Sequence, residues 1–132
     1  MRVLLDTNAY SALVENQPEI RQRVHIAEEV LISAVVLGEL LFGFHNGSRY
    51  EQNRAVLERF LQESNVRVVT LTFTTAERFG EIFTRLRRRG KPIPTNDIWI
   101  AAQAIEHESD LLSADSHFQF VETLSWIRLP SR

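Results

Sequence analysis

The sequence has no cysteine, one lysine and four aspartates. Without cysteine there is no thiol nucleophile, no thiolate zinc site and no disulfide framework. No apolar run approaches the ~18–20 residues of a membrane span. Asp6 interrupts the N-terminus before the apolar core of a signal peptide could form. A chain confined to a reducing cytoplasm is therefore expected. Gly-rich phosphate loops and a Gly-x-Ser-x-Gly elbow are also missing. The chemistry must come from carboxylates, hydroxyls, histidine or arginine.

What is present is ordinary in total and uneven in detail. The 132 residues are 44% hydrophobic and 24% charged, as in a globular protein, and one domain over residues 1–132 is expected. The acids are 13 Glu and Asp6, Asp97, Asp110 and Asp115; the bases are 14 Arg and Lys91. A net charge of −2 exerts no global pull on nucleic acid, so such a role would need a local patch.

Short β-branched runs alternate with helical patterns. Residues 2–5, 30–33, 66–71, 110–113 and 125–129 read as strands. Residues 8–14, 19–26, 35–44, 50–63, 75–89 and 96–107 read as helices. Pro18, Asn46-Gly47-Ser48 and the Gly90–Pro94 loop break the pattern where breaks are needed. Such alternation predicts a three-layer α/β/α fold with a central, mostly parallel sheet of about five strands. Sites in open sheets of this kind form beyond the carboxyl ends of the strands, where Asp6 and Asp115 would lie.

Glu39 sits at helical spacing among Val35, Val36, Phe42 and Gly43, a costly place for a carboxylate that has no cation. It could also pair with an arginine or reach solvent at the helix edge. Asp97 opens an apolar helix for which Thr95 or Asn96 would be the N-cap, and Asp6 and Asp115 could each be a simple cap. Together the acids repel unless a cation joins them. All-oxygen donors without paired histidines suit Mg²⁺ or Mn²⁺ rather than zinc, and such sites serve phosphodiester hydrolysis.

The segments Arg2-Val-Leu-Leu-Asp-Thr-Asn-Ala-Tyr10, Ser33-x₅-Glu39-Leu-x₂-Gly43, Pro94-Thr-Asn-Asp97-x₂-Ile-Ala-Ala and Leu112-Ser-Ala-Asp115-x₂-Phe118 stand in that order. They resemble the PIN-domain family, and within it the VapC-type ribonuclease toxins of toxin–antitoxin pairs. The resemblance implies a PIN-like fold and a magnesium-dependent endoribonuclease acting on tRNA or ribosomal RNA. It maps the metal-binding and catalytic acids to Asp6, Glu39, Asp97 and Asp115, with Asp6 and Asp97 the main ligands. Thr7 and Ser113 would shape the site, and Asn8 and Asn96 would hydrogen-bond it from behind. It also implies a small antitoxin partner and a homodimer. Leu13, Val14, Leu40, Leu41, Phe42 and Phe44 would be covered by that antitoxin, or by the core itself.

Residues 78–91 carry a net +5. Beside the acids, Arg85, Arg87, Arg88, Arg89 and Lys91 would hold RNA phosphates; by themselves they would be a solvated helix face. His117 is close enough to Asp115 to touch substrate and is read as a surface residue, while Tyr10 and Trp99 are read as core. A phosphotransferase built on Asp6 would want an acid at position 8, which is Asn8. The competing reading is a PIN-like module that binds RNA or protein without cutting.

Overall fold

The structure is a computed structural model that describes residues 1–131, so Arg132 lies outside the described residues. Five strands, β1 (Arg2–Leu5), β2 (Glu29–Ser33), β3 (Val66–Val69), β4 (Asp110–Ser113) and β5 (Trp126–Arg128), form one sheet in the order β3-β2-β1-β4-β5. Every pairing is parallel, with Leu4 beside both Leu31 and Leu111. A parallel sheet covered on both faces buries both sides of its central strands, and Val3, Leu4, Leu5, Val30, Leu31, Leu111 and Leu112 have no exposed surface.

The described residues form six α-helices: α1 (Thr7–Val14), α2 (Pro18–Ile26), α3 (Ala34–His45), α4 (Tyr50–Leu61), α5 (Phe73–Arg88) and α6 (Thr95–Glu106). Ala9 and Ala12 of α1 and Ile20 of α2 pack with Val3, Leu5 and Leu112. Ile82 and Leu86 of α5 and Ile98, Ala101 and Ala102 of α6 pack with Leu4 and Leu111. Alternate side chains of β1 and β4 therefore serve opposite layers, as the pleat requires.

The ends of the elements follow local chemistry. Thr72 and Thr75 cap α5 reciprocally, and both hydroxyls also donate to Glu106, tying the start of α5 to the end of α6. Gln103, buried in α6, donates to the Val69 carbonyl at 3.2 Å. The N-cap of α6 is Pro94, without a side-chain hydrogen bond, rather than Thr95 or Asn96. Proline pre-sets its own φ, so the helix starts one residue earlier than a polar cap would place it.

Strand order decides where a site can form. From β1 the chain adds β2 and β3 on one side, then crosses to add β4 and β5 on the other. The crevice of such a sheet opens at this reversal, between the carboxyl ends of β1 and β4.

Candidate metal-dependent nuclease site

Asp6 leaves β1 directly into the crevice and caps α1, its Oδ1 accepting from the Thr7 amide at 2.8 Å. The Thr7 hydroxyl donates to Glu39 Oε1 at 2.9 Å, which links α1 to α3. Ser113, the last residue of β4 and fully buried, donates to Asp6 Oδ2 at 2.7 Å. Its hydroxyl in turn accepts from Asn8 Nδ2 at 3.2 Å and from the Asp115 amide at 3.0 Å. Asn8 Nδ2 also reaches Asp6 Oδ2 at 3.3 Å, and Asn8 Oδ1 accepts from the Ala114 amide at 2.8 Å. Residues more than 100 positions apart in the chain thus form one network.

A second group faces it. Asp115 caps a 3₁₀ turn at Ser116–Phe120, accepting from the His117 amide at 2.9 Å. The turn brings His117 Nδ1 to 3.0 Å from Asp97 Oδ2 and 3.0 Å from Asp115 Oδ1. Asp97, buried in the first turn of α6, lies at the positive end of that helix. Asp97, Asp115 and His117 offer ligand atoms all within 4.8 Å of one another.

The electrostatics show what the group lacks. Burial pushes the Asp6 carboxyl up; hydrogen bonds from Ser113 and Thr7 pull it down, and Glu39 and Asp115 push it up again. Burial raises Asp97 to about 6, opposed by the His117 hydrogen bond and reinforced by the charges of Asp115 and Asp6. His117 is raised chiefly by its bond to Asp97. Among the described residues, no lysine or arginine pairs with any of the four acids; the arginine ion pairs go to Glu29, Glu58, Glu81 and Glu122. A cluster with this charge deficit and hard oxygen donors fits a divalent cation.

Residues 3–123 match the PIN domain family. The chain belongs to that family. Among curated relatives, ribonuclease VapC2 of Haemophilus influenzae is 34% identical over 106 residues, covering 79% of each chain. The tRNA(fMet)-specific endonuclease VapC of Salmonella typhimurium is 33% identical over the same length, again 79% of each. The crystal structure of VapBC2 from Rickettsia felis, bound to a DNA fragment from its promoter, superposes with a TM-score of 0.87. It is 25% identical and covers 98% of this chain and 100% of that one.

Asp6, Glu39, Asp97 and Asp115 stand at the same edge of the sheet, coupled through the hydrogen bonds and charges described above. Thr7, Asn8 and Ser113 all hydrogen-bond within the cluster. Asn96 is exposed, and no hydrogen bond joins it to the acids. Glu39 is half-buried, and the face around it is only partly core, because Phe42 is 71% exposed.

His117 is the residue that the sequence reading missed. Its spacing from Asp115 was visible, but its approach to Asp97 depends on how the 3₁₀ turn docks against α6. Arg85, Arg87, Arg88, Arg89 and Lys91 are exposed, as a phosphate-binding strip requires. Arg89 is committed elsewhere, donating to the Phe120 carbonyl at 2.9 Å and pairing with Glu122 at 3.0 Å. Tyr10 is buried edge-on against Phe60, and Trp99 stacks on Phe79 with centroids 4.0 Å apart, so both are packing residues.

Proposed function

We propose that this chain is the toxin of a toxin–antitoxin pair, a Mg²⁺-dependent endoribonuclease that hydrolyses phosphodiester bonds of tRNA or ribosomal RNA. The observation that carries the reading is four carboxylates that feel one another's charge at the β1/β4 crevice, with no arginine or lysine among the described residues paired to them. The names of the VapC relatives support the activity, and the VapBC complexes among the structural neighbours support the partner.

Asp6, Asp97, Glu39 and Asp115 would hold the cation. When bound, a cation of this kind lowers the pKa of a coordinated water and offsets phosphate charge. The chain's own residues do the positioning. Ser113 and Asn8 hold Asp6 Oδ2, while Thr7 bridges Asp6 and Glu39, so that neither carboxylate must reorganise when substrate arrives. His117 Nδ1 lies between Asp97 and Asp115, where both carboxylates favour a proton on that nitrogen.

The antitoxin reading has its own surface. Val14 is 46% and Phe42 71% exposed on α1 and α3. Between α1, α3 and α4, a cleft of about 250 Å³ is lined by Tyr10, Val14, Leu40, Phe44 and Val56, with Ser11, Glu15 and Asn53 supplying polar groups. The buried Tyr10 hydroxyl there has no hydrogen-bond partner among the described residues. Exposed apolar surface beside an unsatisfied hydroxyl suits a partner segment that brings both contacts.

The decisive assay is cleavage of end-labelled RNA in Mg²⁺. Wild type should cut, excess chelator should stop it, and Asp97→Ala should abolish cutting while the circular dichroism spectrum stays native. Equal rates for Asp97→Ala and wild type would overturn the assignment.

A further inference from the structure

The arginine strip is not uniform. Arg85, Arg88 and Arg89 line a groove of about 240 Å³ between α5 and the 3₁₀ turn, and Arg87 does not. The floor is apolar: Ile82, Leu86 and Val121 are nearly fully buried. Phe120 forms one wall, and Thr123 stands exposed at the rim. Arg89 is held by the Phe120 carbonyl and by Glu122, which fixes that side of the groove. Arg85 and Arg88 are exposed and have no acidic partner among the described residues. Lys91 adds a further cation, its Nζ 5.3 Å from the centre of the Phe120 ring.

One element contributes to both the acidic site and the groove. The 3₁₀ turn that Asp115 caps carries His117 near its start and Phe120 at its end. A strand of RNA held at Asp97 and Asp115 would follow this turn toward the groove.

Chemistry selects the occupant. The groove has a volume of about 240 Å³, enough to seat a flat ring on its apolar floor. Single-stranded RNA is read by splaying out a base, stacking it on aromatic or guanidinium planes, and holding its phosphates with cations. A groove with an apolar floor, an aromatic wall and two unpaired guanidiniums presents those three features together.

We infer that the α5/3₁₀ groove is a base-binding subsite that takes one unstacked nucleotide flanking the scissile phosphate and sets sequence preference. The inference rests on the nuclease reading above and adds base selection to backbone attraction. Arg85 and Arg88 flank the base and its phosphate, whereas Arg87 contributes only to the general field.

The test blocks the groove from its exposed rim with Thr123→Trp. Wild type and variant are given a random-sequence single-stranded RNA pool in Mg²⁺, and the cut ends are sequenced. Wild type should prefer certain bases at one position beside the cut. The variant should lose that preference and cut preferred sequences about tenfold more slowly, with non-preferred sequences within twofold of wild type. An unchanged preference profile overturns the inference. A second arm irradiates 4-thiouridine-substituted RNA bound to each protein and maps the crosslinked peptides. Crosslinks should fall on residues 82–89 and 120–123 of wild type and vanish in Thr123→Trp. Crosslinks that persist or fall elsewhere overturn the groove, whether or not RNA is cut. Absence of cutting by wild type overturns the nuclease reading, and the crosslinks then decide the groove separately. If Thr123→Trp instead weakens only the binding of a protein partner, the groove is a protein site and the inference fails.

Discussion

Asp97→Asn should stabilise the fold in the absence of metal while removing activity. The Asp97 carboxyl rises from 3.8 to about 6 on folding, mainly through burial. The sign follows from linkage. A raised acid binds its proton more tightly in the native state, so its ionisation opposes folding. The penalty is absent below pH 3.8, grows between 3.8 and about 6, and is complete above that. A shift of this size corresponds to about 3 kcal/mol at ~1.4 kcal/mol per unit. Asp97 is 11% exposed and sits at an open mouth, so solvent screening reduces the recoverable part to about 1–2 kcal/mol.

Asparagine has nearly the same shape and cannot ionise. Thermal unfolding in chelator at pH 7.5 should place Asp97→Asn roughly 3–8 °C above wild type for a chain of this size. The gap should close as pH falls toward 4, where Asp97 is protonated in both states. Adding Mg²⁺ at about 100 times its Kd should raise wild type by about 2.7 kcal/mol and leave the variant nearly unmoved. Wild-type metal affinity should fall as pH drops below about 6, because protons compete for Asp97. A variant less stable than wild type in chelator at pH 7.5, or one stabilised equally by Mg²⁺, would refute the reasoning.

Two further outcomes test separate parts of the molecule. Ser113→Ala leaves Asp6 Oδ2 with only the 3.3 Å Asn8 contact. It should cost about 1–3 kcal/mol and raise the Mg²⁺ needed for half-maximal cleavage about tenfold, with Ser113→Thr restoring both. An Ala variant with wild-type metal dependence would remove Ser113 from the site. Phe42→Ser, at an exposed helix position, should change unfolding free energy by less than ~0.5 kcal/mol. The same variant should weaken binding to the cognate antitoxin by about tenfold or more in a titration, and an unchanged affinity would move the interface elsewhere.

The elements were legible because their signals are local. The runs at residues 2–5 and 110–113 are β1 and β4 to the residue, since the apolar centres Val3–Leu5 and Leu111–Leu112 are buried on both faces and polar residues mark where each strand starts. The apolar pattern at residues 66–71 runs two residues past the third strand. β3 is an edge strand that ends at Val69, and Leu71, apolar enough to extend the pattern, is 44% exposed and unpaired. The fifth strand shortens at both ends to Trp126–Arg128, again at an edge.

The sequence by itself determined the kinds of chemistry available. Lacking cysteine and phosphate loops, and with Asp6, Asp97 and Asp115 in the segments that resemble the family's acidic motifs, it pointed to an oxygen-ligand metal site. Only the tertiary structure decided how those groups meet. Asp6 touches Ser113 because β1 and β4 are neighbours, and Thr7 touches Glu39 because α1 lies against α3. Neither contact leaves a periodic trace in a chain that separates the partners by 107 and 32 residues. The same holds for His117, whose place between two carboxylates depends on a 3₁₀ turn docking on α6, and for the arginines, which one helix face divides into groove and surface. Periodicity reports the face a residue presents; which side chain it meets there is set by strand order and helix docking.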